Sequence, residues 1–205
     1  METLIKTMNN HLTKLKEELL STAELDEKIN NGSFGDTVLS WSKSRAYGVI
    51  PFYSELTGYS SDSMLKREPK NKKNAYCYIG NGNIDKIIRY NTRSEIEDIE
   101  YIIRTNNEVF SILKDFRGDF RSLTKLILDD QGKNQECYRV DDDGDFFGYH
   151  YIYNDDVISE IISMTHYNIN ACNSIYLEYD DTKNLEGIYF KNKGEKVYIY
   201  SINKR

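Results

Sequence analysis

Proline and tryptophan are nearly absent from this 205-residue chain, at two copies and one, and histidine and cysteine occur three times each. No stretch approaches the roughly 20 apolar residues of a membrane-spanning helix. The N-terminal twenty residues also lack the continuous apolar centre of a signal peptide, so the chain is expected to stay in the cytoplasm where it is made, away from membranes. Cys77, Cys137 and Cys172 form no CxxC pair, and an odd count would leave one unpaired in a secreted protein; reduced thiols of a cytosol are the simpler reading. His11 and His166 have no metal-ligand spacing to each other or to a cysteine, so no metal site is expected. No phosphate-binding glycine loop, GxSxG or HExxH occurs, and no cofactor is called for. Positive charge is short as well. The net charge is -6 and the pI about 5.2, which argues against nucleic acid and for a basic protein partner. The densest cationic stretch, Lys66 to Lys73, sits beside Pro69 in a polar segment and reads as a solvated loop.

Aromatic residues are plentiful instead: 17 Tyr and 8 Phe supply buried area that Leu and Val supply elsewhere, and tyrosine favours strands with one wet face. Leu4, Met8, Leu12, Leu15 and Leu19 step by three and four and predict an amphipathic helix ending near Leu20. Ser21 with Glu24 three residues on predicts a capping box and a second short helix that stops at Asn30, Asn31 and Gly32. Between Ser33 and Asn74 only apolar patches stand out, around Trp41 and around Phe52 and Tyr53, and they read as core anchors.

From Ala75 onward, short alternating segments are broken by Gly, Asn and Asp, the punctuation of hairpins. Turns are predicted at Asn81-Gly82, pairing Ile79 with Ile84 and Tyr76 with Ile87; at Asp143-Gly144, pairing Val140 with Phe147 and Tyr138 with Tyr149; and at Lys193-Gly194, pairing Phe190 with Val197 and Ile188 with Ile199. Ser94, Glu97 and the Ile96, Ile99, Ile103 spacing predict one inserted helix over Glu95 to Arg104. The Val109 to Phe116 run suits a strand, with Arg117 to Asp119 in the turn. The fold class is therefore α+β: a helical or irregular N-terminal region, residues 1–74, with a curved antiparallel β-meander over residues 75–205, together one structural domain.

Three phrases recur in the meander, Ile84 to Ile88, Leu123 to Ile127 and Ile158 to Ile162, two of them preceded by tyrosine phrases at Tyr76 to Tyr78 and Tyr151 to Tyr153. With their turns, these segments resemble the tyrosine-rich hairpins of YD-type repeats, and resemble still more the meander sheets of small immunity proteins encoded beside bacterial polymorphic toxins. The resemblance covers roughly Ala75 to Ile202. It implies a non-enzymatic protein that binds and blocks a cognate toxin in the producing cell. Two other classes stand beside it: a small hydrolase or modification-reversing enzyme, and a structural or regulatory subunit such as a phage-defence component.

Acidic pairs collect at the predicted tips: Asp129 and Asp130, Asp141 and Asp142, Asp155 and Asp156, Asp180 and Asp181. Each is ordinary turn chemistry taken alone, since Asp hydrogen-bonds its own backbone. Together they make the candidate partner-binding residues, suited to a toxin with a cationic cleft. Asp141, Asp143 and Asp145 superficially match a calcium loop, but Phe146 replaces the turn glycine and Ile152 the bidentate Glu. Counting register back from Asp143-Gly144 places Cys137 across from His150, the best catalytic pair the sequence offers; with no third orienting residue it reads as a pair of neighbours, and no catalytic residue is assigned.

Overall fold

A computed structural model describes residues 2–58 and 63–202. Two helices, α1 (Glu2–Leu20) and α2 (Thr22–Asn31), precede β1 (Thr37–Ser42) and the short α3 (Tyr53–Thr57). Eleven strands then follow without interruption: β2 (Tyr76–Asn81), β3 (Asn83–Tyr90), β4 (Ile96–Arg104), β5 (Glu108–Asp115), β6 (Phe120–Leu128), β7 (Asn134–Asp141), β8 (Phe146–Asn154), β9 (Val157–Thr165), β10 (Asn168–Tyr179), β11 (Leu185–Asn192) and β12 (Glu195–Ser201). All twelve form one antiparallel sheet in sequence order. The sheet dominates the α+β architecture and stays open, since β1 and β12 do not pair.

Both faces of the sheet are covered. On the outer face α1 lays down Met8, Leu12, Leu15 and Leu19, all buried, against Phe110, Ile112, Leu123, Tyr138, Val140 and Met164. That is the stripe its three-and-four spacing foretold. The helix boundary at Leu20 also agrees, but Ser21 makes no side-chain cap. On the inner face, the segment around Ile50 packs over Ile87, Ile102, Leu126, Tyr151, Ile161, Leu177 and Ile188. Arg45 reaches Glu100 on β4, while α3, which starts eight positions later, packs against β12. In a flat sheet β4 and β12 would lie about 38 Å apart, and the eight residues between them are not extended to their limit of roughly 28 Å, because residues 49–52 turn, with the Tyr53 N–H donating to the Ile50 carbonyl at 3.4 Å. The sheet therefore curls around this segment.

The predicted helix over Glu95 to Arg104 is a strand, β4. Its inner face carries Asp98, Glu100 and Ile102, and its outer face Ile99, Tyr101 and Ile103. Ser94 is no cap either: it has φ 64° in a turn where Asn91 Oδ1 accepts from the N–H groups of Arg93 and Glu95 at 2.7 and 3.1 Å. The expected strand at β5 and its turn are present. A further strand, β1, lies in the stretch where only apolar patches were legible, and pairs with β2 through Trp41 and Cys77.

The chain reverses at all three predicted glycines, but only Lys193-Gly194 is the expected two-residue turn: Gly82 alone separates the paired Asn81 and Asn83, and Gly144 closes a three-residue loop. Lys193-Gly194 has both φ angles positive, 50° and 87°, and pairs Phe190 with Val197 as expected. A bulge then leaves Ile199 without a partner on β11 and sets Ile188 across from Tyr200. At Gly82 the pairing is two residues off, Tyr78 facing Ile87 and Tyr76 facing Arg89. A β-carbon on Gly80 would sit 1.7 Å from the Asn83 carbonyl oxygen, so only glycine lets the two strands approach there.

Candidate partner-binding site

One turn design recurs at five hairpin ends. Residue i, an Asp or Asn, donates its N–H to the carbonyl of i+4 and accepts from the N–H of i+3; this holds for Asn91, Asp115, Asp129, Asp141 and Asp180. The fourth residue has positive φ: Ser94, Gly118, Gly132, Gly144 and Lys183. In four of the five the side chain of residue i also accepts from the N–H groups of i+2 and i+4, as Asp129 does from Gln131 and Lys133 at 2.9 and 2.8 Å. Asp141 is the exception, its carboxylate being held by Arg139 at 2.9 Å. Three residues in the loop, rather than two, shift the register by one.

That shift decides the Cys137 and His150 pairing. Val140 pairs with Phe146, so Glu136 stands across from His150, and Cys137 across from Tyr149. Cys137 and His150 thus lie on opposite faces of the sheet. Cys137 is fully buried on the inner face, where burial pushes its thiol up to about 12. The expected juxtaposition is overturned, and with it a thiolate–imidazole pair.

Hairpin turns in a meander alternate between the two ends of the sheet. The turns β6–β7, β8–β9 and β10–β11 therefore share one end and bring Asp129, Asp130, Asp155, Asp156, Asp180 and Asp181 to it. Contacts join them: Asp156 receives Lys133 of the first turn at 3.0 Å and Lys183 of the third at 3.9 Å. Six carboxylates against these two ammonium groups leave a net charge of -4 on the three turns. Lys133 first, and then Lys183, hold Asp156 below the usual carboxylate range. Asp180 is held at about 2 by the Thr182 hydroxyl, with the Asn184 N–H and side chain adding to it. Asp130, Asp155 and Asp181 are exposed. Tyr153 lies beneath Lys133, whose ammonium stands 5.4 Å from the ring centre, and Tyr179 borders the same end, its hydroxyl donating to the Ile158 carbonyl at 2.8 Å.

Asp141 and Asp142 are not part of this patch. They occupy the β7–β8 turn at the opposite end, where Asp142 pairs with Arg121 at 2.6 Å. Burial raises Asp141 despite Arg139 beside it. The apparent calcium loop is used otherwise: Asp143 accepts from the N–H of Asp145 at 3.2 Å, and Asp145 lies 3.2 Å from His166. Among the described residues no group of three or more His, Cys, Asp and Glu side chains is placed to hold a metal, and no helix is long and apolar enough to cross a membrane.

Two charged networks had no signature in the sequence pattern. On the inner face Arg45 grips both oxygens of Glu100 at 2.6 and 2.9 Å, with the Ser111 hydroxyl donating to the same carboxylate, and Arg89 holds Asp98 at 2.6 Å. On the outer face Glu136 accepts from Tyr138 at 2.9 Å and lies 3.4 Å from His150 and 3.8 Å from His11 of α1. Their partners are up to 125 positions apart in sequence, as His11 and Glu136 are, which no local pattern reveals.

No protein-family model matches this chain, and no curated protein matches it in sequence.

Proposed function

We propose that this protein works by stoichiometric binding of a basic protein partner, as an immunity protein binds its cognate toxin, and that the acidic end of the meander makes the contact. The observation that carries this reading is the Lys133–Asp156–Lys183 tie, which gathers three hairpin tips into one patch of net negative charge beside Tyr153 and Tyr179. Carboxylates at such a rim speed encounter with a cationic cleft and reject acidic partners. The tyrosines add contact area at low entropic cost. The turn hydrogen bonds of Asp129 and Asp180 fix the tips before binding, so little ordering is left to offset affinity.

The test is affinity capture of a basic protein from the producing cell, followed by calorimetry of the purified pair. The triple variant Asp130→Asn, Asp155→Asn, Asp181→Asn removes three exposed charges without touching the turn-forming Asp129 and Asp180. Loss of binding with an unchanged melting temperature supports the reading. Full affinity in the folded triple variant sinks it.

A further inference from the structure

The cationic stretch Lys66 to Lys73 is pinned to the sheet. Just before it, Leu65 bridges the outer edge of β1, its N–H and carbonyl both bonded to Trp41, at 2.6 and 3.0 Å. Pro69 has no N–H with which to extend that ladder. Past it, Asn71 meets the β3–β4 turn: its Oδ1 accepts from the Lys73 N–H at 2.8 Å and from the Ser94 hydroxyl at 3.2 Å, while its carbonyl accepts from Lys43 at 2.7 Å. These contacts set Lys43 and Arg93 beside the stretch.

Positive charge and exposed apolar surface meet at this corner of the sheet. Residues 62–73 carry Lys66, Arg67, Lys70, Lys72 and Lys73 against Asp62 and Glu68, a net of +3, and Lys43 with Arg93 against Glu95 adds +1. Glu97 is taken by Arg89 and Glu68 by Lys72. Among the described residues Lys66, Arg67, Lys70, Lys73 and Arg93 have no carboxylate partner, and all five are exposed. The acidic turns at the same end, β5–β6 and β7–β8, stand two and four strands away, about 10 and 19 Å along the sheet, where salt screens them. Val38, Leu39, Met64 and Leu65, at the β1 edge, are 49%, 38%, 43% and 38% exposed, and the Met64 sulfur lies 3.3 Å from the Ser40 hydroxyl of β1.

Three features select a lipid surface among polyanions. The exposed apolar side chains carry no rings, so they can enter the boundary between headgroups and acyl chains but cannot stack on bases. The rings at this corner, Trp41 and Tyr90, lie 5.2 and 5.3 Å beneath the Lys72 ammonium, and Trp41 is buried, so no stacking platform is presented. Five of the seven cations are lysines, a residue depleted at protein interfaces but adding about fivefold each to binding near an anionic leaflet.

We infer that the β1 corner is a peripheral docking surface for an anionic lipid bilayer. Val38, Leu39, Met64 and Leu65 enter the headgroup region, and the surrounding lysines and arginines meet the lipid phosphates. The contact lies on the surface of the bilayer and is reversible and salt-sensitive.

The test is flotation of the full chain with vesicles of phosphatidylcholine, alone or with one third phosphatidylglycerol, beside binding to a fluorescent single-stranded oligonucleotide. No protein partner is present, so the outcome is independent of the function proposed above. The wild type should float with the anionic vesicles and not with the neutral ones, and binding should fall as salt is raised. Lys66→Glu with Arg67→Glu, and separately Lys70→Glu with Lys73→Glu, should each weaken it by about tenfold or more while leaving the melting temperature unchanged. Val38→Ser with Met64→Ser keeps every charge and should still weaken vesicle binding severalfold, a loss that attraction between charges alone does not produce. A wild type that ignores anionic vesicles overturns the inference, as do folded charge variants that bind as it does. So does undiminished binding by the Val38 and Met64 variant. Tighter binding to the oligonucleotide than to the vesicles also overturns it, and would make this corner a nucleic-acid site.

Discussion

Glu136 stands directly across from His150, with the His150 Nδ1 3.4 Å from Oε1 of the carboxylate and His11 of α1 3.8 Å from the other oxygen. The same carboxylate accepts from Tyr138 at 2.9 Å, and the His11 ring stacks on that of Tyr138 at 4.8 Å. The group therefore ties α1 to the centre of the sheet.

Its pH dependence follows from sign. The contact with His150 first, helped by Tyr138 and His11, outweighs burial and holds Glu136 below the ordinary carboxylate range. A depressed carboxylate contributes stability that is present above its unfolded value, near 4.5, and is lost as pH falls through its folded value. Glu136→Gln should thus cost about 1–3 kcal/mol at neutral pH. Thermal melts across pH should show the variant and wild type converging as the pH falls below the ordinary carboxylate range. A constant gap down to pH 2 would show that the charge does not carry the effect.

The register that unites Glu136 with His150 also buries Cys137 among inner-face side chains. With the thiol pushed up to about 12 by burial, it should resist alkylation at neutral pH in the native protein and react only on denaturation. Cys137→Ala should leave partner binding intact and cost about 1 kcal/mol of packing. Mass-spectrometric labelling of native and unfolded protein checks the first statement. Rapid native labelling at Cys137 would contradict the buried placement.

Glycine substitutions separate backbone from side-chain crowding. A β-carbon at Gly148 would meet Tyr138 at 3.0 Å and the end of the Met8 side chain at 3.2 Å, so Gly148→Ala presses on the docking of α1. Those atoms can yield, and a loss of about 1–3 kcal/mol is expected. At Gly80 the obstacle is backbone, the Asn83 carbonyl oxygen at 1.7 Å, and the β2–β3 hairpin has to open. Denaturant melts should rank Gly80→Ala as the more damaging. The reverse order would mean that the close approach of these strands contributes little.

Legibility in the sequence followed the range of the interactions. The α1 stripe and the glycine turns are set by neighbours within four residues, and both were readable. β4 was not, because Asp98 and Glu100 occupy inner-face positions where alternation would show apolar residues. Arg89 and Arg45 satisfy them, the latter from 55 residues away, and the remaining isoleucines imitate helical spacing. The Cys137 register failed over one residue: Asp143-Gly144 was read as a two-residue turn, whereas Asp141 begins a three-residue loop with Gly144 in the left-handed region. That Asp-x-x-Gly signal recurs at Asp115 and Asp129 and was visible without a structure. The acidic tips were individually legible. Their assembly at one end needed the strand order.

Strand order also separates the four acidic tips by position. The Asp129–Asp130, Asp155–Asp156 and Asp180–Asp181 tips share one end, whereas Asp141 and Asp142 sit at the other, engaged by Arg139 and Arg121. If a basic partner docks on the joined patch, Asp→Asn changes at Asp130, Asp155 and Asp181 should each slow association, and the slowing should fade as salt is raised, because exposed charges are screened within about 10 Å at 0.1 M ionic strength. Asp142→Asn should leave the rate unchanged. Asp180 adds an internal control: its carboxylate, at about 2, stays charged in mild acid, so its own share of the electrostatic on-rate should persist at pH 4. Asp180→Asn should instead loosen the turn itself, since an amide oxygen accepts more weakly from the Thr182 and Asn184 donors at 2.7–2.8 Å. Stopped-flow association across salt and pH distinguishes these effects. Equal slowing by Asp142→Asn and Asp155→Asn would mean that only overall charge matters, and the shared end would lose its standing as the docking surface.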